Sequence, residues 1–226
     1  MGKLFLLAVT GSLGCGKSRV SRWLAAQGAH LLDADQEARA VLQPGSAGWQ
    51  AVVDQFGPAI LVAAADSPAP RPIDRRQLGE AVFRDTEARR ALEAIVHPRI
   101  YQRQALQLTQ WQQAAPANQR VMVVAEIPLL FETASAHRYD WTLALLCGAA
   151  QQERLAERTG MSVEIQQAVI AQQLPEQEKA ARAHQTIDNS GPWSATTAQL
   201  TAVWTELLTR PLDHYAWPHG WPEASQ

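Results

Sequence analysis

An uncharged run, Leu4 to Thr10, passes directly into Gly11-Ser12-Leu13-Gly14-Cys15-Gly16-Lys17-Ser18, and Lys17 to Gln27 then shows helical patterning. A short apolar run ending in glycines reads as a strand buried on both faces. The glycine-rich segment fits G-x-x-x-x-G-K-[ST], the phosphate-binding loop pattern, and stands where that pattern has to stand, after a strand and opening a helix. Glycines let the backbone curl so that successive N–H groups point inward at phosphate, and the helix N-terminus adds a partial positive charge. Lys17 is placed to reach the β and γ phosphates of a nucleotide, and the Ser18 hydroxyl to ligate Mg²⁺. The ATP-binding candidates are therefore Gly11, Ser12, Leu13, Gly14, Cys15, Gly16, Lys17 and Ser18, with Lys17 also catalytic. The only lysines are Lys3, Lys17 and Lys179, so chance is a poor explanation for one in this place.

Ala29 to Leu32 reads as a second buried strand, followed by Asp33-Ala34-Asp35 and a helix to Leu42. Two buried strands joined by a helix make a βαβ unit with a right-handed crossover, hence a parallel sheet. Further buried strands are predicted at Val121 to Ile127, Trp141 to Cys147 and Gln185 to Asp188, with helices at Gln151 to Thr159, Val163 to Gln173 and Thr196 to Thr209. This alternation predicts a three-layer α/β/α sandwich on a parallel five-stranded sheet. From Asp74 to Gln113 the pattern is helical without strand signals, an inserted region started by an Asp74–Gln77 cap. One of its helices is expected to stop at Val96, because Pro98 disfavours helix at His97. Gln102, Gln104, Gln107, Gln110, Gln112 and Gln113 read as a solvated helix surface.

Asp33 ends the second strand, and in doubly wound sheets ligands gather at the carboxyl ends of strands. A carboxylate there can take the proton of an attacking hydroxyl or orient water on Mg²⁺. Equally, Asp33 with Gln36 makes a helix capping box, and spacing leaves both readings open. Arg154 and Arg158 stand one helical turn apart and share a face. They either close on a transferring phosphoryl group or pair with Glu153 and Glu157 on a solvated helix. No set of His, Cys and acidic residues near His97 has zinc-ligand spacing.

Charge and cysteine usage narrow the partners. Twenty Lys and Arg against 22 Asp and Glu, with no basic block, give no surface for following a phosphate backbone, so no nucleic acid is expected. No apolar run approaches the roughly 20 residues needed to cross a bilayer, so no membrane span is expected. Two cysteines cannot staple a secreted domain, and Cys15 and Cys147 are expected as reduced thiols in a cytoplasmic protein. Cys15, beside Lys17 at a helix start, is expected to react with thiol reagents, and Cys147, in a strand, to be inert.

Several further segments occur in order: Thr10-Gly11 with the loop, Asp33-Ala34-Asp35, Asp74-Arg75 with Leu78 and Phe83, and His97-Pro98-Arg99-Ile100. Ile127-Pro128-Leu129-Leu130-Phe131-Glu132, Gln152 to Arg158, and Ile187-Asp188-Asn189-Ser190-Gly191 follow. With these the chain resembles the dephospho-coenzyme A kinases from Leu4 to about Leu208. The resemblance implies ATP-dependent, Mg²⁺-assisted phosphorylation of the ribose 3′-hydroxyl of dephospho-coenzyme A, the last step of coenzyme A biosynthesis. It implies one kinase domain over residues 1–210, a helical acceptor-binding insertion at about 60–115, a lid at about 151–182, and a tail at 211–226. By resemblance Asp33 is the general base, Arg154 and Arg158 are lid residues on the phosphates with Arg154 catalytic, and Asn189 lies near adenine. Thr10, Asp33, Asp35, His97 and Leu129 are then acceptor-binding, the partners are ATP and dephospho-coenzyme A, and a monomer is expected.

The chain also departs from that pattern. Glu126 stands where Asp is common, His184 replaces a usual Asp, Ala63 to Pro72 is long and proline-rich, and the Trp-rich tail matches nothing. Another small kinase with the same loop, acting on a nucleoside, nucleotide or sugar, is the nearest alternative. The lack of Asn-Lys-x-Asp argues against a guanine-nucleotide switch, since neither Asn118 nor Asn189 is followed by Lys.

Overall fold

The first strand, β1 (Lys3–Gly11), is buried from Leu4 to its end and is the middle of a five-stranded sheet. The computed structural model describes residues 1–63, 70–83, 85–117, 119–157 and 161–210. With β2 (His30–Leu32), β3 (Arg120–Glu126), β4 (Trp141–Leu146) and β5 (Gln185–Asp188) the sheet has the order β2-β3-β1-β4-β5. Every pairing is parallel; Leu7 stands opposite Val124 on one side and Trp141 on the other. Parallel strands need crossovers that cover both faces, which is why the inner strands β3, β1 and β4 are largely apolar instead of alternating. The fold class read from the sequence is the one observed.

Two compact units divide the chain: Met1–Leu32 together with residues from Leu108 on, and Asp33–Gln107. The first unit holds the sheet. Phe5, Leu7 and Val9 of β1 face α1 (Lys17–Ala26) through Val20 and Leu24, and α9 (Trp193–Thr209) through Leu200, Val203, Trp204 and Leu207. Leu4, Leu6 and Ala8 alternate to the other face and are equally buried. Each such buried side chain contributes about 1.5–3 kcal/mol, enough to fix where β1 ends and the loop begins. Between β4 and β5 run α6 (Ala150–Ala156), α7 (Val163–Ala171) and α8 (Glu176–Arg182).

The second unit is helical: α2 (Ala34–Val41), α3 (Ala47–Phe56), α4 (Arg75–Phe83) and α5 (Thr86–Ala114), which runs on into the first unit. Val41, Val52, Ile60, Leu78 and Val96 form its core. Asp74 caps α4 as expected, accepting from the Gln77 N–H at 3.2 Å.

Three expectations are corrected. No helix stops at Val96, because α5 continues through His97 and Pro98. Leu92, Val96 and Ile100 pack in one core on both sides of the proline, and that burial outweighs a local cost of about 3 kcal/mol. In the disturbed turn Arg99 Nη1 donates to the Ile95 carbonyl at 2.6 Å. The glutamines of α5 are not all solvated: Gln104 is buried, and Gln107 Nε2 donates to Glu37 Oε1 at 2.8 Å beside the Arg103–Glu37 ion pair. Two helices, α3 and α8, were not anticipated. α8 starts directly after Pro175, which is compatible with a helix start and not only with a break. Arg158, residues 64–69 of the proline-rich segment and the tail 211–226 lie outside the described residues.

Candidate active site

β1 delivers the chain at Gly11 and α1 takes it up at Lys17, so the loop between them is anchored by the most buried strand of the molecule. Gly14 (φ 82°) and Gly16 (φ 85°) occupy left-handed conformations that only glycine adopts freely. At Gly16 a Cβ would also stand 2.6 Å from Asn189 Nδ2. Gly16 is the N-cap of α1, with no side-chain cap and no acidic residue in the first turn. The N–H groups that open this helix are thereby left for an anion.

Lys17 folds back over the loop, its Nζ donating to the carbonyls of Gly11 and Ser12, both at 2.9 Å. Burial pushes its ammonium below the ordinary lysine range, and the positive charge of Lys179 adds to that. The exposed Ser18 hydroxyl donates to Glu126 Oε2 at 2.9 Å, which brings a hydroxyl and a carboxylate oxygen together at the carboxyl end of β3. Hard oxygen donors of this kind suit Mg²⁺. The departure at Glu126 therefore keeps a carboxylate on Ser18.

Asn189, just past β5, is buried, and both ends of its amide are engaged. Nδ2 donates to the Cys15 carbonyl at 2.7 Å and Oδ1 accepts from Thr196 Oγ1 at 2.8 Å. Its own carbonyl accepts from Arg154 Nη2 at 2.6 Å, while Arg154 Nη1 is buried with no hydrogen-bond partner among the described residues. That orphan nitrogen lies 4.0 Å from the position a Gly16 Cβ would take, so an unspent guanidinium N–H is held at the cradle. Of the two readings for Arg154, the structure shows the contact with the Asn189 carbonyl and no ion pair to Glu153 or Glu157.

Other loop partners carry no sequence signal of function. The Leu13 peptide is held at both ends: its N–H donates to Gln173 Oε1 at 2.9 Å, and its carbonyl accepts from Gln151 Nε2 at 2.7 Å. Beneath the loop, the buried Lys179 ammonium donates to the Pro128 carbonyl at 2.7 Å and pairs with Glu132 at 2.8 Å. Burial alone would raise the Glu132 carboxyl, but Lys179 and the Leu174 N–H outweigh it and hold it below the usual range.

Cys15, expected to react with thiol reagents, presents no thiol at the surface. Its side chain turns inward and is fully buried, 2.8 Å from Cys147 Sγ and 3.2 Å from Glu176 Oε1. Thr10 is also enclosed, its Oγ1 without a hydrogen-bond partner among the described residues, and Leu129 is half-buried after β3.

The remaining candidates belong to the second unit. Asp33 follows the last residue of β2 and caps α2, Oδ1 accepting from the Gln36 N–H at 2.9 Å, with the side chain exposed. The capping alternative is thus realised, and it leaves Oδ2 for other chemistry. Asp35 lines a cleft of about 380 Å³ with Arg39, Arg75, Leu78 and Val82. His97 is exposed on α5, its ring 6.3 Å from that of Tyr101.

The sequence profile of the dephospho-CoA kinase family matches residues 5–194. The chain belongs to this family. A dephospho-CoA kinase of Thermobifida fusca is 38% identical over 205 residues, covering 90% of this chain and 96% of the relative. That of Symbiobacterium thermophilum is 37% identical over 203 residues, covering 88% and 80%. Among solved structures, a Thermus thermophilus protein superposes with a TM-score of 0.73 at 31% identity, over 91% of this chain and 98% of the other. The dephospho-CoA kinase of Campylobacter jejuni shares the fold, with a TM-score of 0.63 at 24% identity over 90% and 97%. The family match spans the loop, Glu126, Arg154 and Asn189, so the whole cradle lies inside the part of the chain that makes it a dephospho-CoA kinase family member. No helix among the described residues is long and apolar enough to cross a membrane.

Proposed function

We propose that this protein transfers the γ-phosphoryl group of ATP to the ribose 3′-hydroxyl of dephospho-coenzyme A, giving coenzyme A and ADP in the cytoplasm. The observation that carries this reading is the phosphate cradle of a family member with unspent donors around it: the open start of α1 and the orphan Nη1 of Arg154. A bound triphosphate would take the Lys17 ammonium from the Gly11 and Ser12 carbonyls. Lys17 and Arg154, with Arg158 on the same face by sequence, then stabilise charge on the phosphoryl oxygens.

Asp33 accepts the proton of the 3′-hydroxyl as it attacks in line. Ser18 and Glu126 are the residues that would hold Mg²⁺, which when bound neutralises charge on the β and γ phosphate oxygens. Asn189 acts on the loop backbone through Cys15, and its buried amide supports a positioning role. Gln151 and Gln173 fix the Leu13 peptide, which supports residues 151–182 as a lid that keeps water off the phosphoryl group. Asp35 and His97 are assigned to the acceptor, with Leu129.

Incubation with ATP labelled in the γ-phosphate, Mg²⁺ and dephospho-coenzyme A tests the reading. The label is expected on the ribose 3′-oxygen of a product with the mass of coenzyme A. Label released only as inorganic phosphate would overturn it.

A further inference from the structure

One buried cluster is unused by this mechanism. Cys15 Sγ, Cys147 Sγ and Glu176 Oε1 stand 2.8, 3.0 and 3.2 Å from one another, with both cysteines fully buried and Glu176 half-buried. Oε1 is oversubscribed. It faces the thiols of Cys15 and Cys147 and also the Cys147 N–H at 3.1 Å, three donors for two lone pairs. The other oxygen, Oε2, is fixed by the N–H groups of Gly148 at 3.1 Å and Cys147 at 3.2 Å, so the carboxylate is held with Oε1 turned to the sulfurs.

We propose that Cys15, Cys147 and Glu176 form a binding site for a thiophilic divalent cation of the zinc class, distinct from the Mg²⁺ site at Ser18. Two sulfurs and one carboxylate oxygen are the donor set such ions prefer, whereas Mg²⁺ takes oxygen. The triangle is small enough for one ion to reach all three atoms at about 2.0–2.3 Å, and the sulfurs spread apart as it enters. Binding forms two metal–sulfur bonds and one metal–oxygen bond, and the two thiol protons leave to solvent. Oε1 then gives up two competing donors for one cation. Two thiolates, a carboxylate and a divalent ion sum to one negative charge, in a loop that also carries the Lys17 ammonium two residues from Cys15. The backbone amides on Oε2 supply the outer hydrogen bonds that orient a ligating carboxylate. A cavity of about 360 Å³ bordered by Ser12, Gly148, Gln151 and Gln173 reaches the cluster at Glu176. An ion there ties the phosphate-binding loop to the end of β4.

The test is an anaerobic titration of the reduced, chelator-treated protein with Co²⁺, read by sulfur-to-metal charge-transfer absorption, followed by displacement with Zn²⁺. About one equivalent is expected to bind with release of about two protons, to be displaced by Zn²⁺, and to resist excess Mg²⁺. Cys147→Ser is expected to abolish the charge-transfer band, and Glu176→Gln to weaken binding tenfold or more. Should Cys147→Ser not fold, Cys147→Ala and Glu176→Gln read the same quantity. The proposal is overturned by an absent charge-transfer band or by one unchanged in the Cys147 variants. Protein that takes up no metal and only couples its two thiols to a disulfide on exposure to a small-molecule disulfide overturns it too.

Discussion

Asp33 is both the cap of α2 and the proposed base, and one substitution separates the two roles. Asparagine caps about as well as aspartate, so Asp33→Asn is expected to keep its stability and its ATP affinity. The amide cannot take the hydroxyl proton, and turnover of dephospho-coenzyme A is expected to fall by about 10² to 10⁴. Single-turnover kinetics beside an ATP-binding isotherm measure both; wild-type turnover would leave Asp33 as a cap alone. Arg154 invites a parallel experiment. Its Nη2 bond to Asn189 is one hydrogen bond worth about 1 kcal/mol, while its Nη1 has no partner among the described residues. Arg154→Ala is expected to lower kcat by about 10² while thermal stability changes by no more than about 1 kcal/mol. Large destabilisation with normal kcat would make Arg154 a structural strut.

At the scale of elements, α5 is the instructive one. Its Pro98 is exposed and sits where the backbone needs a donor, held in place by the core on either side. Pro98→Ala is expected to raise stability by about 1–3 kcal/mol in a denaturant melt, and a loss of stability would mean that the proline itself is required in the helix. The sequence could not show this, because a proline stops a helix locally and only packing from Leu92 to Ile100 overrules it. The strands were legible for the opposite reason: uncharged runs such as Leu4 to Thr10 tolerate no other place than the middle of a sheet. Within the site, the loop was legible because its glycines, lysine and serine have local jobs. Gln151 and Gln173 were not, since a glutamine on a helix reads as solvated and their partner Leu13 is 138 and 160 residues away. Glu176 was hidden in the same way, on a helix the sequence did not announce.

Across the whole molecule, stability should follow its histidines before its carboxylates. Partial desolvation, and for His184 also the charge of Arg210, holds His30 and His184 below the ordinary imidazole value of 6.5. His184 Nδ1 accepts from the Thr142 N–H at 3.1 Å, a contact that requires the neutral ring. The unfolded chain therefore takes up these protons first, and stability, full above about pH 6.5, is lost as pH falls from there through the folded values. Glu132 and Glu176, held below the usual 4.5, lose theirs only further down. Thermal melts from pH 8 to pH 5 are expected to show a declining Tm that His184→Gln partly flattens, and a Tm that rises on acidification would contradict this. Acceptor identity defines this enzyme among small kinases, and coupled ADP release at fixed ATP and Mg²⁺ across dephospho-coenzyme A, adenosine, AMP and shikimate measures it. A kcat/KM for dephospho-coenzyme A at least about 10³-fold above the other three is expected, a discrimination that a site built to hydrogen-bond its substrate can reach. Equal or faster turnover of any of the other three would contradict it.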